Sequence, residues 1–227
     1  MQQVEFDEDR SLRTAADRVF EALQDAIVRG DLKPGARVGE TDLALRFGTS
    51  RGPLREALRR LESRHLVERT PHVGIRIASL EQHALIELYF LREALEGMAA
   101  RLAATHMTDS EIEGIKALLA AHEEDEALKA DTAYFQREGD LDFHYRIIHG
   151  SHNGALIELL VGELYHRIRM YRYQFSAYAN RPQRAFREHQ RIVEALEARD
   201  GDLAEMLMRR HISSARQNIE NHLKESP

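Results

Sequence analysis

Four ionisable residues fall where a helical reading of the sequence expects apolar ones. Asp140 and His144 are four apart beside Ile147 and Ile148. His189 comes three after Phe186 and three before Ile192, and His211 four after Leu207 and four before Ala215. One imidazole on such a stripe usually reads as a satisfied core histidine. Three on separate helices, with a carboxylate one turn from the first, make a donor set suited to Zn²⁺, Ni²⁺, Mn²⁺ or Fe²⁺. Spacing leaves open whether the helices converge. Arg92 poses a related question, because it lies on the stripe Leu85, Leu88, Leu95, Ala99, Leu102. An unpaired buried guanidinium is costly, so a carboxylate must face it. Either Glu96 or Glu93 of its own helix supplies that carboxylate, or a ligand does, gripped by the planar fork.

A second chemistry resides in Arg51, Arg55 and Arg59, which recur every four residues and lie roughly 100° around a helix from the stripe Leu54, Ala57, Leu58, Leu61. Such rows are most often solvated faces. Local charge argues for more here: from Ala44 to Ile77 there are eight Arg against three Glu, net +5, in a chain whose total is −6. That asymmetry suits a phosphate backbone whose counter-ions are to be released.

The elements that must position these residues follow from pattern and punctuation. Thr14 to Arg29 reads as a helix with Val19, Leu23, Ala26 and Ile27 inward, ending at Gly30. A short helix with Leu43, Ala44 and Phe47 inward stops at Gly48; Ser50 is a good N-cap for the next, and Pro53 falls in its tolerant first turn. Two helices, a glycine-containing turn and a basic flank make a helix-turn-helix. Strand-like pieces at Leu66 to Arg69 and Val73 to Ile77, joined through Thr70, Pro71 and His72, make its wing. Breaks at Met107-Thr108-Asp109, near Gly139, at Gly150 to Gly154, around Asn180 to Pro182 and at Asp200-Gly201-Asp202 divide the rest into helices.

The expected fold is therefore mainly α: a loose, disordered arm over residues 1–10, a winged helix-turn-helix over 11–78, and an all-α bundle of six to seven helices over 79–227. Two domains suit 227 residues. With no cysteine there is neither a disulfide framework nor thiolate chemistry, and a reducing cytoplasm is the expected compartment. The polar start MQQVEFDEDRS lacks the apolar region of a signal peptide, and no run approaches the ~18 apolar residues of a membrane span. Overall acidity argues against a protein that coats nucleic acid with its whole surface but permits one basic domain on an acidic body.

At the same residues the chain resembles a known family. Gly30-Asp31-Leu32-Lys33-Pro34-Gly35, Asp42-Leu43-Ala44, Ser50-Arg51-Gly52-Pro53-Leu54-Arg55-Glu56-Ala57-Leu58 and Leu61-Glu62 are similar to the DNA-binding domain of GntR-family transcription regulators. Gly52 departs from that pattern: family members often carry a hydroxyl or branched residue there, so only a backbone N–H remains to meet a phosphate. Further on, Asp140-Leu141-Asp142-Phe143-His144, Ser151-His152-Asn153, Glu188-His189 and Arg210-His211-Ile212 resemble the FCD domain, the helical effector domain of the fatty-acid-regulator-type branch. The resemblance implies that Asp140, His144, His189 and His211 hold a divalent metal, with Arg92 in the ligand cavity. Asp142, two residues past Asp140, is expected to point away, and His149, His152, His166 and His222 to lie at the surface or at helix ends.

The expected function is a DNA-binding regulator, a repressor by family default, that acts as a homodimer on an operator duplex. A small organic acid at the metal and Arg92 would control its affinity, and no membrane is involved. Ser50, Arg51, Gly52, Arg55 and Arg59 would meet DNA from the second helix, and His72, Gly74 and Arg76 from the wing. Two alternatives stay open: a metal-dependent enzyme acting on a small carboxylate, and a bundle stapled by a purely structural metal. Against the enzyme, there is no evident base beyond the ligands, no G-x-S-x-G nucleophile and no phosphate-binding glycine loop.

Overall fold

The computed structural model describes residues 14–70, 74–79, 82–134, 136, 138–174 and 181–225. The arm expected at 1–10 and His72 of the wing lie outside the described residues. The chain divides into two compact units, Met1–Ser79 with His166–Gln174, and Leu80–Tyr165 with Phe175–Pro227. Each is built around its own core.

In the first unit, α1 (Ala15–Val28) starts where Thr14 accepts from the N–H of Asp17 while the Asp17 carboxylate reaches back to Thr14, a closed capping box. It buries Val19, Phe20, Leu23, Ala26 and Ile27, and ends before Gly30, whose φ of +80° a side chain would resist. β1 (Arg37–Val38) and α2 (Glu40–Arg46) follow, the latter burying Leu43. α3 (Arg51–Ser63) buries Leu54, Ala57, Leu58 and Leu61. The three leucines are at most 1 % exposed, and burial of each contributes ~1.5–3 kcal/mol. β2 (Val67–Thr70) and β3 (Gly74–Ile77) form an antiparallel hairpin that pairs Val67 with Ile77 and Arg69 with Ile75. β1 joins on the far side of β3, giving the order β1-β3-β2. Two residues are too few for a strand period, so β1 left no mark in the sequence pattern.

The second unit is helical. α4 (Gln82–His106) runs to α5 (Asp109–Glu123), which starts at a capping box between Thr108 and Glu111. α6 (Glu126–Lys129) is capped by Asp125. A 3-10 turn at Gly139–Leu141 leads to α7 (Phe143–Gly150), and Asn153 caps α8 (Gly154–Ile157). The helix continues through a π-helical stretch, Glu158–Leu164, into α9 (Tyr165–Gln174), which from His166 onward belongs to the first unit. α10 (Pro182–Glu197) opens on a proline, and α11 (Gly201–Glu225) completes the second unit. α4 packs most extensively along α11 and also meets α7 and α10, while α10 packs on α11. A cluster of Ala99, Ile148 and Leu160 forms part of the core. Among the described residues no helix is long and apolar enough to cross a membrane.

His166 departs from its expected surface position. It is half-buried, and burial, followed by the charges of Arg64 and Arg169, pushes its imidazole down to about 3.

Candidate metal site, effector arginine and DNA face

The helix pairings of the second unit decide which polar residues meet. α7 carries His144, α10 His189 and α11 His211, all buried, and one donor atom from each lies within 4.8 Å of the others. Nε2 of His189 is 3.2 Å from Nε2 of His211. Each ring is held by its other nitrogen: His144 Nδ1 is 2.6 Å from Glu96 Oε2, His211 Nδ1 is 2.7 Å from Glu188 Oε2, and His189 Nδ1 is 3.1 Å from the Tyr134 hydroxyl. Neutral imidazoles that donate from Nδ1 to a carboxylate carry their lone pair on Nε2. Two nitrogens at ~2.0–2.1 Å from one tetrahedral Zn²⁺ stand ~3.3 Å apart, so the His189–His211 spacing suits a shared cation. Outer partners of this kind are what metal-binding histidines ordinarily have.

For His211, electrostatics favour the same state. Burial pushes His211 down to about 3, with the Glu188 hydrogen bond opposing and the Arg181 charge adding, so the ring is neutral near pH 7. Burial would raise Glu188, but the hydrogen bond and charge of His211, then Arg181, hold it at about 2. Burial would likewise raise Glu96, yet the Arg92 guanidinium and His144 together keep it well below the usual carboxylate range. His211 is thus a neutral ring with the Glu188 carboxylate behind it, and metal ligation requires neutral imidazole.

Asp140 does not join them. Asp142 accepts from the backbone N–H of His144 at 2.9 Å and of Tyr145 at 3.4 Å, so α7 starts at Phe143. Asp140 therefore precedes the helix on the 3-10 turn, exposed, and the four-residue helical spacing to His144 does not apply. Asp142, set aside on spacing grounds, is fully buried as that cap and also accepts from the Tyr165 hydroxyl at 3.2 Å.

Arg92 is 1 % exposed. Its Nε donates to Glu96 Oε1 at 2.7 Å and its guanidinium lies 4.7 Å from the centre of the Tyr89 ring. Nη1 is buried without a hydrogen-bond partner. The internal ion pair weighed above is thus present, with one terminal nitrogen left over. Glu96 as a partner of His144, together with Glu188, Tyr134 and Arg181, was missed by sequence reasoning. Glu96 had a visible signal, four residues after Arg92. Glu188 stands beside His189 in sequence but serves His211 on another helix, and nothing local reveals that.

On the first unit, Arg51, Gly52, Arg55 and Arg59 are exposed along α3. Ser50 occupies the N-cap without a side-chain bond to the helix, and a Cβ added at Gly52 would meet nothing within 4 Å. Arg55 Nε lies 2.9 Å from Glu40 Oε2, whose other oxygen is 3.1 Å from Arg69 on β2. Arg59 pairs loosely with Glu56 at 3.4 Å. In β3, Gly74 takes a φ of +106° that favours glycine, and Arg76 Nε donates to the Gly35 carbonyl at 3.1 Å. Arg69 is exposed on the same hairpin and was not singled out in the sequence.

Residues 15–77 match the bacterial regulatory proteins of the gntR family, and residues 87–214 match the FCD domain. The chain belongs to the GntR family. It is a DNA-binding transcription regulator, as its relatives are, and not an enzyme. An uncharacterized HTH-type transcriptional regulator of Bacillus subtilis, YdhC, is 30 % identical over 216 residues, covering 91 % of each chain. A probable D-xylose utilization operon transcriptional repressor of Paenarthrobacter nicotinovorans is 33 % identical over 204 residues, 88 % of this chain and 87 % of that one. Among solved structures, McbR/YncC of Escherichia coli shares the fold with a TM-score of 0.69 at 23 % identity, over 93 % of this chain and all of the other.

Proposed function

We propose that this GntR regulator is a homodimeric repressor whose operator affinity is set by a small carboxylate bound at a divalent metal in the FCD domain. The observation that carries the reading is the meeting of His144, His189 and His211, each ring fixed from behind, in the same helical unit as a buried Arg92 with an unpartnered Nη1. His144, His189 and His211 would hold the cation, which supplies open coordination positions for a carboxylate oxygen. Arg92 would take the acid's charge through the nitrogen left free by Glu96. Its burial excludes competing water and strengthens the grip.

Arg51 and Arg55 would read base edges in the major groove. Ser50, the Gly52 N–H and Arg59 would meet phosphates, and His72, Gly74 and Arg76 would follow the backbone. A dimer reads two half-sites. Phe90, Leu91 and Met98 on α4, with Leu203 and Met206 on α11, are large apolar side chains left exposed, and they support a second copy as partner. Repression is supported by the relative from Paenarthrobacter, which is named a probable transcriptional repressor.

The test is elemental analysis of full-length protein purified without chelator, alongside His189→Ala. About one divalent metal per chain in the parent and little in the variant is the expected result. A metal-free parent would leave only the DNA-binding half of the proposal standing.

A further inference from the structure

One buried carboxylate has two partners in the helical unit. Glu96 is 1 % exposed, with Oε1 at 2.7 Å from Nε of Arg92 and Oε2 at 2.6 Å from Nδ1 of His144. Arg92 and Glu96 lie one turn apart on α4, whereas His144 is on α7, which packs against α4. His144 is also near the other two histidines, its ring centre 5.2 Å from each of theirs. Glu96 is the hydrogen-bonded link from the guanidinium to the histidine cluster.

We propose that Glu96 couples acid binding to metal binding, because Arg92 and His144 compete for its charge. The inference rests on the metal and acid reading given above. While Arg92 leans on Glu96, the guanidinium draws negative charge away from the carboxylate, and the hydrogen bond from His144 Nδ1 weakens. A ligand carboxylate that engages Nη1 neutralises the guanidinium and leaves Glu96 more fully to His144. A stronger acceptor behind the ring makes the imidazole a better donor at Nε2, as partners behind metal-binding histidines generally do. Acid binding then tightens the metal, and by linkage the metal tightens the acid by the same factor. The two ligands become one signal.

The inference is tested with Zn²⁺ alone, competed against a chromogenic chelator, on full-length parent, Glu96→Gln, Arg92→Met, the double variant and His211→Ala. Arg92→Met imitates a neutralised guanidinium and is expected to raise Zn²⁺ affinity ~5-fold or more, although Arg92 is not placed as a ligand. Glu96→Gln is expected to lower it ~10–100-fold. In the Glu96→Gln background the effect of Arg92→Met should vanish. Should Glu96→Gln fail to fold around an unpaired Arg92, the double variant removes both charges and is compared with Arg92→Met directly. Equal Zn²⁺ affinity in those two would remove Glu96 from the account. Unchanged affinity in Arg92→Met would overturn the coupling. Neither result touches the metal reading, which stands or falls on whether His211→Ala loses the Zn²⁺ that the parent binds.

Discussion

Arg55 is tethered before any DNA arrives, through Nε to Glu40. In the proposed reading its terminal nitrogens would meet a guanine edge, and a side chain held in advance loses less freedom on binding. Arg51 lies exposed on the first turn of α3. Replacing either by Ala should weaken binding to an operator selected from random duplexes by ~1–3 kcal/mol while leaving the fold intact. A mobility shift at fixed salt measures it, and equal affinity for parent and both variants would remove these residues from the DNA face. Asp140 offers a second check. It lies exposed on the 3-10 turn, so Asp140→Asn is expected to retain the metal content of the parent. Loss of metal in that variant would show that the turn closes onto the histidines.

Protonation belongs to the same scale. An unfolded histidine gains its proton near 6.5, whereas buried His211 does so only near 3, because burial disfavours the charged ring. Between those values the unfolded chain holds the extra proton, so stability is complete above about 6.5 and drains as pH falls. Glu188, held at about 2 against an ordinary 4.5, adds a further loss below pH 4.5. Melting temperatures of chelated protein should therefore decline steadily from pH 7 to pH 4. A flat profile would mean that His211 is not kept neutral by its surroundings.

Helix starts are where local sequence and the site intersect. Thr108 and Asp142 each cap a helix, α5 and α7, through side-chain oxygens on backbone N–H groups. Replacing a cap by Ala costs ~0.5–2 kcal/mol, and about 1 kcal/mol shifts Tm by ~2–4 °C in a chain of this size. Thr108→Ala should show that loss alone in urea unfolding. Asp142→Ala should show a larger one, since the buried hydrogen bond from the Tyr165 hydroxyl to Asp142 is lost as well. It should lower Zn²⁺ affinity as well, because His144 is the second residue of α7. Equal metal binding in the two variants would separate the cap from the site.

For the whole molecule the quantity that the proposed function turns on is the coupling between a bound acid and DNA. A carboxylate that binds only the folded, metal-loaded protein raises its stability by RT ln(1 + [L]/Kd), ~2.7 kcal/mol at a hundred times Kd. Screening organic acids by melting temperature should thus find the effector as a rise that chelation abolishes. The acid so found is expected to change operator affinity by ~1–3 kcal/mol, and Arg92→Met to abolish that response while still binding DNA. An acid that stabilises the protein but leaves operator affinity alone would make the site structural.

How much of this was legible beforehand depended on the range of the interaction involved. α1 could be read to within a residue, because Thr14, the apolar spacing and Gly30 are local signals. The apolar face of α3 and its exposed arginines were equally plain, since amphipathic period and charge are written along the chain. The two-residue β1 was not, as only pairing with β3 defines it. At the histidine cluster the sequence supplied three histidines on inward faces and an arginine that needed a carboxylate. It misplaced Asp140, because a helix continued back from His144 looks the same as one that Asp142 caps. Tertiary structure alone decided that α7, α10 and α11 bring their histidines together, that Glu188 serves His211 rather than a neighbour on its own helix, and that Glu96 faces both Arg92 and His144. Periodicity says which face of a helix is buried; the partner that face meets is set by how helices far apart in sequence pack.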